Sequence, residues 1–255
     1  MGYPVKYCGV IPAAGRGSRL GIDLPKILAP VGKTATIWSI LKDRLKPFVD
    51  QIHVVVSPAG KPFFDRALAG DPDRAMISTG IQPVPKGMGD AIFGGADVWG
   101  KAQAILVIWG DQVHVSAETI AASLKLHGGA AKRMVIPVVA LDEPYVEYEF
   151  DTQGHLINIL QSREGDRCHP GGFGDVGTFV LSTEGLKDVW DEYVAQAAVG
   201  AATGEQNFLP FLVHLSAIGW DVLRHRVSDP WEARGINTPE DLEFFRKVYE
   251  GKAKE

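Results

Sequence analysis

The chain has 255 residues, of which 45% are hydrophobic and 22% are charged, and its formal net charge at pH 7 is −5. This composition is typical of a globular protein and excludes disordered, collagen-like and coiled-coil chains. The absence of a basic run argues against a nucleic-acid surface, and the longest apolar runs, 104–109 and 134–141, are too short to span a bilayer.

The first half of the chain alternates short β-branched runs with amphipathic segments, which is typical of βαβ units around a mostly parallel sheet. Strands are predicted at 5–11, 52–56, 75–79 and 104–109. One predicted helix has a single apolar face made by Ile37, Ile40, Leu41, Leu45 and Phe48. A shorter helix is predicted around 63–68, and two more follow Gly89 and Ser116.

The second half changes character after Lys132. Strands are predicted at 134–141, 145–150, 156–161 and 176–181 with little helix between them, so we expect antiparallel strands to join the same sheet. Helices at 186–198 and 207–215 precede a late strand at 221–226. Thr238, Pro239 and Asp241 predict the start of a last helix, with Leu242, Phe245 and Tyr249 facing inward.

These elements predict an α/β fold, a Rossmann-like three-layer α/β/α arrangement with a mixed, mostly parallel central sheet and an inserted antiparallel lobe. No Pro/Gly/Ser-rich linker divides the chain, so we expect residues 1–255 to form one domain. Cys8 and Cys168 lie in no CxxC or zinc-ligand pattern, and the N-terminus shows no targeting or lipidation motif. A reducing, cytoplasmic location without membrane attachment is therefore expected.

The strongest local motif is the glycine-rich loop that follows the first predicted strand. Ala13, Ala14, Gly15, Arg16 and Gly17 run through Arg19 into Pro25-Lys26. Small residues at the carboxyl end of a central strand let backbone N–H groups approach a phosphate chain, and the nearby cations favour this role over a simple surface turn.

Two other nucleotide-binding motifs do not fit this loop. No segment supplies the Gly-x4-Gly-Lys-Ser/Thr of a P-loop. A dinucleotide fingerprint would need glycine at position 20, which is Leu20, and an acidic residue after the second strand, where Ser57 lies. A NAD-dependent oxidoreductase is therefore disfavoured.

Two further segments carry polar residues after apolar ones. Trp109-Gly110-Asp111 ends an apolar strand with an acid, and Asn237 precedes the last predicted helix. Asp111 could be an ordinary loop cap and Asn237 an additional helix cap, but a carboxylate and an amide oxygen are also ligands that Mg²⁺ accepts. Gln82 through Ala91 combines a glutamine with Gly87 and Gly89, which by itself is typical of a turn before a helix.

Together these motifs resemble the nucleotidylyltransferases that join a nucleoside triphosphate to a sugar phosphate, above all the uridylyltransferases of N-acetylglucosamine 1-phosphate and the MobA-like NTP transferases. The resemblance rests on Ala13, Ala14, Gly15, Gly17, Arg19, Pro25 and Lys26, and covers roughly the whole chain. It implies that Arg19 and Lys26 are catalytic and that Asp111 and Asn237 bind Mg²⁺. It also implies nucleotide contacts from the glycine loop and from three later positions: Gln82, Gly87 and Gly110.

The acceptor side departs from the N-acetylglucosamine pattern. Glu147 stands where that family has a glycine, and Gln161 and Asp175 fall near its sugar-binding glutamate and asparagine. Polar residues that could line an acceptor pocket, with a solvated loop as the alternative, are Tyr145, Glu147, Gln161, Arg163, Glu164 and Asp175. The acids among them favour an acceptor with hydroxyls or an amine.

The sequence thus predicts a magnesium-dependent nucleotidyltransferase that uses a pyrimidine triphosphate (UTP, CTP or dTTP) and a small phosphorylated or phosphonate acceptor and releases pyrophosphate. Residues 1–131 are expected to bind the nucleotide, and 132–255, with the C-terminal helix, the acceptor. The altered acceptor residues leave a second hypothesis open, a non-catalytic module that binds nucleotide sugars. Neither nucleic acid nor a membrane is expected as a partner.

Overall fold

A computed structural model describes residues 6–15, 17 and 20–251. The strands are β1 (Tyr7–Pro12), β2 (Gln51–Val56), β3 (Ile77–Ile81), β4 (Ala104–Ile108), β5 (Arg133–Ala140), β6 (Val146–Phe150), β7 (Leu156–Gln161), β8 (Phe173–Asp175), β9 (Thr178–Ser182) and β10 (Asp221–Arg226). The helices are α1 (Ile37–Leu45), α2 (Lys61–Leu68), α3 (Met88–Phe93), α4 (Ala96–Trp99), α5 (Ala117–His127), α6 (Leu186–Gln196), α7 (Phe208–Ala217) and α8 (Pro239–Tyr249).

The central sheet has eight strands and is mostly parallel. Its order is β10-β5-β9-β4-β1-β2-β3, with β8 paired to β5. Among the described strands of this sheet, only β8 and β9 run antiparallel to their neighbours, and β6 and β7 form a separate antiparallel hairpin. The predicted mixed sheet with an inserted antiparallel lobe is confirmed.

Helices cover both faces of this sheet because its central strands are apolar on both sides. Alternate residues of β4 enter opposite cores: Ala104, Leu106 and Ile108 pack in one, and Ile105 and Val107 in the other. Apolar residues of α1, α2, α5 and α8 belong to the first core, and those of α3, α4, α6 and α7 to the second. The three-layer α/β/α class predicted from the sequence is therefore confirmed. No helix within the described ranges is long and apolar enough to cross a bilayer.

Some predicted boundaries were wrong. The third strand begins at Ile77 instead of residue 75, because Arg74–Met76 form a 3-10 turn and pairing with β2 starts at Ile52–Ile77. The strand predicted at 176–181 begins only at Thr178, as β9, and it is preceded by β8, which the sequence did not predict. Gly177, with φ of +72°, separates the two strands.

The start of the last helix follows the prediction. The Thr238 hydroxyl accepts a hydrogen bond from the Asp241 N–H, and the Asp241 carboxylate accepts one from the Thr238 N–H. This is a reciprocal capping box, with Pro239 at the first helical position. Leu242 and Phe245 are buried as expected, while Tyr249 lies at the edge and donates its hydroxyl to the Val113 carbonyl.

Candidate functional site

Three adjoining cavities lie at the carboxyl edge of β1 and β4. The first, the Gln82 cavity, is about 180 Å³ and is lined by Pro12, Ala14, Gly15, Gln82, Pro85, Gly87, Met88, Ala91, Arg163 and Glu205. The second, the Lys26 cavity, is about 290 Å³ and is lined by Pro12, Ala13, Gly15, Lys26, Ile27, Met88, Trp109, Gly110, Asp111, Arg163 and Asn237.

The third, the Asp175 cavity, is about 260 Å³ and continues from the second. It is lined by Trp109, Asp111, Gln112, Leu141, Tyr145, Val146, Gly174, Asp175, Ala233, Gly235 and Asn237. Gly15 and Arg163 border both the first and the second cavity, and Asp111 and Asn237 border both the second and the third. The three cavities therefore adjoin one another and are together called the groove, with Asp111 and Asn237 between the second and the third.

Residues 13–15, at the start of the glycine loop, line the first two cavities. The start of the loop is fixed by the Ala13 N–H, which donates to the Val55 carbonyl at 2.7 Å. Gly17 has φ of +59°, and a Cβ there would lie 2.9 Å from the Lys26 Cβ, so only glycine fits. Arg16 and Arg19 lie outside the described residues, and their predicted roles stay predictions.

Lys26 lies between the two predicted metal ligands. Its Nζ is 2.7 Å from Asp111 Oδ2 and 3.0 Å from Asn237 Oδ1. Each partner of the Lys26–Asp111 ion pair keeps only 20% of its side-chain surface exposed. Residues 85 and 211 positions away in sequence thus converge on the Lys26 ammonium group.

The segment that carries Asn237 is held on both sides. The Ile236 N–H donates to the Asp111 carbonyl at 3.0 Å, which ties the two predicted ligands through their backbones. Asp241 Oδ2 accepts the Asn237 N–H at 3.0 Å, and Asp241 Oδ1 accepts the Arg234 guanidinium at 3.0 and 3.1 Å. Because Thr238 is the helix cap, the Asn237 side chain is free to face Lys26.

The hydrogen bonds of Asp241 also affect its pKa. Burial alone would raise it, but the Asn237 N–H and the Arg234 guanidinium outweigh burial and lower the pKa of Asp241 below its ordinary value. Asp241 therefore stays charged and keeps this segment in place.

Asp111 and Asn237 fit a magnesium ion chemically. Both present oxygen atoms, and Mg²⁺ usually takes one or two protein oxygens together with water and phosphate oxygens. The Lys26 ammonium lies within hydrogen-bond distance of both oxygens, which shows that this position attracts a cation. The same ammonium would have to leave both oxygens for a divalent ion to bind them, because the two cations repel each other.

Gln82 follows β3 and is 7% exposed. Its Nε2 donates to the Gly87 carbonyl at 2.9 Å and to Asp90 Oδ2 at 2.8 Å. Gly87 has φ of +111°, and a Cβ there would lie 2.7 Å from the Gln206 carbonyl oxygen. The two residues predicted to contact the base therefore border the same cavity, and glycine is required at position 87.

Of the predicted acceptor residues, Tyr145 and Asp175 line the cavity next to Asp111. Asp175 accepts hydrogen bonds from the Tyr148 hydroxyl at 3.0 Å and from the Gly177 N–H at 2.7 Å. Burial raises the pKa of Asp175, and the Asp111 charge adds to the effect. Burial, followed by the charge of Asp175, raises the pKa of Tyr148 well above its ordinary value.

The other predicted acceptor residues lie elsewhere. Glu147 accepts the backbone N–H of His169 at 2.6 Å, and Glu164 accepts the Ala202 N–H and the Thr203 hydroxyl. Gln161 and Glu164 line a separate cavity beside the end of α6. Arg163 borders the Gln82 and Lys26 cavities. Its Nη2 donates a hydrogen bond to Glu205 Oε2 at 2.7 Å.

Three residues that line these cavities or contact their lining, Asp90, Gln112 and Glu205, were not predicted from the sequence as site residues. Asp241 was predicted only as an acidic residue in the first turn of the last helix. Gln112 directly follows Asp111, is 7% exposed, and its Oε1 has no hydrogen-bond partner among the described residues. The spacing of Asp90 from Gln82 within one motif is the only signal that could have identified it. Nothing near Glu205 in the sequence indicates its contact with Arg163.

Comparisons with known proteins show which proteins this chain is similar to. Residues 9–168 match the family model of the MobA-like NTP transferase domain. The bifunctional protein GlmU of Acidithiobacillus ferrooxidans is 27% identical over 246 residues, covering 94% of this chain and 51% of that protein. GlmU of Pseudomonas fluorescens is 24% identical, covering 96% and 52%. The chain thus spans about half the length of these curated relatives.

Two solved structures share the fold. A glucose-1-phosphate thymidylyltransferase from Bacillus anthracis has a TM-score of 0.74 at 14% identity, covering 98% of this chain and 96% of that one. The 4-diphosphocytidyl-2C-methyl-D-erythritol synthase from Anaerococcus prevotii has a TM-score of 0.66 at 12% identity, covering 96% of both chains. At these identities the likeness extends to the fold alone.

Proposed function

The chain belongs to the MobA-like NTP transferase family, and on that premise we propose that it transfers a nucleotidyl group from a pyrimidine nucleoside triphosphate to a small phosphorylated acceptor. The acceptor is a sugar phosphate or a related phosphate or phosphonate, and pyrophosphate is released. The observation that supports this proposal is the row of three adjoining cavities, in which the Lys26 cavity, bordered by Asp111 and Asn237, lies between the Gln82 cavity and the Asp175 cavity.

The two substrates take opposite ends of this groove in the proposal. The base enters the Gln82 cavity, the triphosphate follows the glycine loop toward Lys26, and the acceptor occupies the Asp175 cavity. Residues 1–131 supply most of the nucleotide contacts and residues 132–255 most of the acceptor contacts. Arg163 and Glu205 cross this division, because they border the Gln82 cavity.

The reaction needs no nucleophilic side chain. An oxygen of the acceptor phosphate forms a bond to the α-phosphorus while the bond to the β-phosphate oxygen breaks, and pyrophosphate leaves with the electron pair. The chain aligns the two substrates and offsets the repulsion between their phosphates, which is about 4 kcal/mol for unit charges 4 Å apart at an effective dielectric of 20.

Particular residues supply this charge. Lys26 and Arg163 border the cavity where the phosphates meet, and the Lys26 ammonium can follow the reacting phosphoryl group. Asp111 and Asn237 would hold Mg²⁺, which when bound neutralises phosphate oxygens. We propose further that the base is a pyrimidine and that the enzyme is cytoplasmic.

A matrix of nucleoside triphosphates against sugar phosphates, alditol phosphates and phosphonates, monitored by pyrophosphate release with Mg²⁺ present, tests the proposal. We expect release with at least one pyrimidine triphosphate, and only when an acceptor is added. Release with purine triphosphates alone would contradict the base assignment. Nucleotide binding without pyrophosphate from any acceptor would favour the non-catalytic module.

A further inference from the structure

The side-chain amide of Gln82 is held in one orientation. Its Nε2 faces two oxygen acceptors, the Gly87 carbonyl at 2.9 Å and Asp90 Oδ2 at 2.8 Å. Rotating the amide by 180° would place Oε1 against a carbonyl and a carboxylate, which repel it. Both hydrogens of Nε2 are therefore used within the protein, and Oε1 is the atom left to meet a ligand.

Asp90 is the charged member of this pair of acceptors. It lies in the first turn of α3, and Gly87 is the N-cap residue that precedes this helix. Hydrogen bonds to a carboxylate are roughly twice as strong as those between neutral groups, so Asp90 contributes more than the Gly87 carbonyl to holding the amide. Gln82 is 7% exposed, so water competes little for these bonds.

The backbone around Gly87 is fixed as well. Its carbonyl also accepts the Ala91 N–H, while its own N–H has no partner within the described residues. The Gln206 N–H donates to the Lys86 carbonyl at 2.6 Å, which ties this turn to the segment before α7. The cavity therefore presents one fixed acceptor, Gln82 Oε1, beside one free donor, the Gly87 N–H.

We propose that Asp90 determines base specificity by holding Gln82 as a hydrogen-bond acceptor, so that a bound base must donate an N–H group to Oε1. This rests on the proposed function, in which the base occupies the Gln82 cavity. Two pyrimidine groups meet the requirement: the ring N3–H of uracil or thymine and the exocyclic amino group of cytosine. These two donor groups lie at different positions on the pyrimidine ring. A Gln82 side chain held in one orientation therefore favours binding of one of the two kinds of base over the other.

Replacing Asp90 removes this constraint. In Asp90→Asn, the new amide can donate to Gln82 Oε1, which allows Gln82 to turn and present Nε2 to the base. With Nε2 facing the base, Gln82 would donate a hydrogen bond to the base instead of accepting one, so the preference between the two kinds of base would change. Asp90 does not touch the nucleotide in this proposal, so it is a positioning residue.

The experiment measures the dissociation constants of UTP and CTP, with Mg²⁺, by calorimetry for the wild type, Asp90→Asn and Asp90→Ala. Asp97→Asn is the matched control, because Asp97 is an exposed acid in the next helix. We expect the wild type to favour one nucleotide by about tenfold or more, as is usual when a buried polar group would be left unpaired. Preference for UTP identifies the ring N3–H as the donor, and preference for CTP identifies the amino group.

In Asp90→Asn and Asp90→Ala we expect this ratio to fall by about fivefold or more, with Asp97→Asn unchanged. Melting temperatures of all variants show that they are folded. Equal affinity of the wild type for the two nucleotides, or an unchanged ratio in folded Asp90 variants, would overturn the inference. Binding of neither nucleotide to the wild type would instead contradict the proposed function.

Discussion

The two ends of the groove differ in how their residues are held. At the nucleotide end, residues 13–15 of the glycine loop and the side chains of Gln82, Lys26, Asp111 and Asn237 border the adjoining Gln82 and Lys26 cavities. At the acceptor end, only Tyr145 and Asp175 of the predicted set reach the Asp175 cavity. Glu147 binds His169, and Glu164 binds the segment around Ala202.

This difference follows from the elements that carry the residues. The nucleotide end is built where parallel strands stop, and the carboxyl ends of neighbouring parallel strands meet at one edge of the sheet. The acceptor end is built from a hairpin and loops, where alternate side chains point to opposite faces. On β6, Tyr148 turns toward Asp175 while Glu147 turns toward His169. An acidic residue in or near the β6–β7 hairpin therefore does not necessarily line the Asp175 cavity.

The largest effect expected at the nucleotide end comes from Asp111. Asp111→Ala should lower turnover by about 100-fold to 1,000-fold, because several kcal/mol of charge stabilisation through a bound metal would be lost. Asn237→Ala should lower it less, since water can replace a neutral ligand. Pyrophosphate release at saturating Mg²⁺ measures both, with Asp65→Ala on α2 as a surface control. Turnover close to wild type in Asp111→Ala would contradict the metal assignment.

Lys26 should have the next largest effect, and it separates catalysis from binding. Lys26→Ala should lower kcat by about tenfold to 100-fold and weaken nucleotide binding less, because its charge matters most in the transition state. Single-turnover rates and nucleotide dissociation constants measure the two effects, with Lys61→Ala as control. A raised KM with unchanged kcat would limit Lys26 to ground-state binding.

The Lys26 contacts make a second measurement informative. The Lys26 ammonium donates hydrogen bonds to both Asp111 and Asn237, where it would repel a metal ion. Lys26→Met should therefore bind Mn²⁺, in the absence of nucleotide, about tenfold more tightly than the wild type. Electron paramagnetic resonance titration of free Mn²⁺ monitors this directly. Equal affinities would show that Lys26 does not compete with a metal.

A smaller effect is expected at the acceptor end, where it tests the contrast between Asp175 and Glu147. Asp175→Asn should change the ratio of kcat/KM between two acceptors by about fivefold to tenfold, whereas Glu147→Gln should leave it unchanged. N-acetylglucosamine 1-phosphate should be a poor acceptor. If it is the best acceptor and Asp175→Asn leaves its rate unchanged, the departures at these positions do not affect specificity.

The smallest effects concern the stability of the folded chain. Removing the charge should destabilise it at Asp241, beside Asn237, and stabilise it at Asp175, at the acceptor end. The pKa of Asp241 is lowered from 3.8, so its contribution is present above pH 3.8 and is lost as the pH falls through the lower folded pKa. Asp241→Asn should lower the free energy of unfolding at pH 7 by about 1 to 2 kcal/mol, a size typical of losing a capping interaction at a helix start. That loss should shrink in acid.

Asp175 should behave in the opposite way. Burial raises its pKa from 3.8, so protonation stabilises the folded chain below that value, and this stability is lost as the pH rises through the folded pKa. Asp175→Asn should therefore raise the melting temperature at pH 7, with a smaller gain near pH 4. Thermal unfolding across pH measures both variants. A melting temperature lowered by Asp175→Asn at pH 7 would show that its hydrogen bonds outweigh the burial of its charge.

The sequence by itself determined the fold class and most elements, because apolar periodicity dictates which residues must be buried. It also placed the glycine loop and Asp111 directly after two predicted strands, those at 5–11 and 104–109. It named Asn237, although only family resemblance connected that residue to Asp111. The β3 boundary and β8 escaped prediction because pairing with β2 and β5 decided them.

Only the tertiary structure decided which partner each polar side chain meets. Lys26 reaches both Asp111 and Asn237, Glu205 holds Arg163, and Asp90 fixes Gln82. Each contact depends on how a side chain leaves a loop or a short helix and on which distant segment packs beside it. Hydrophobic periodicity carries no information about these directions, because it reports burial along an element and not the pairing of polar groups between elements.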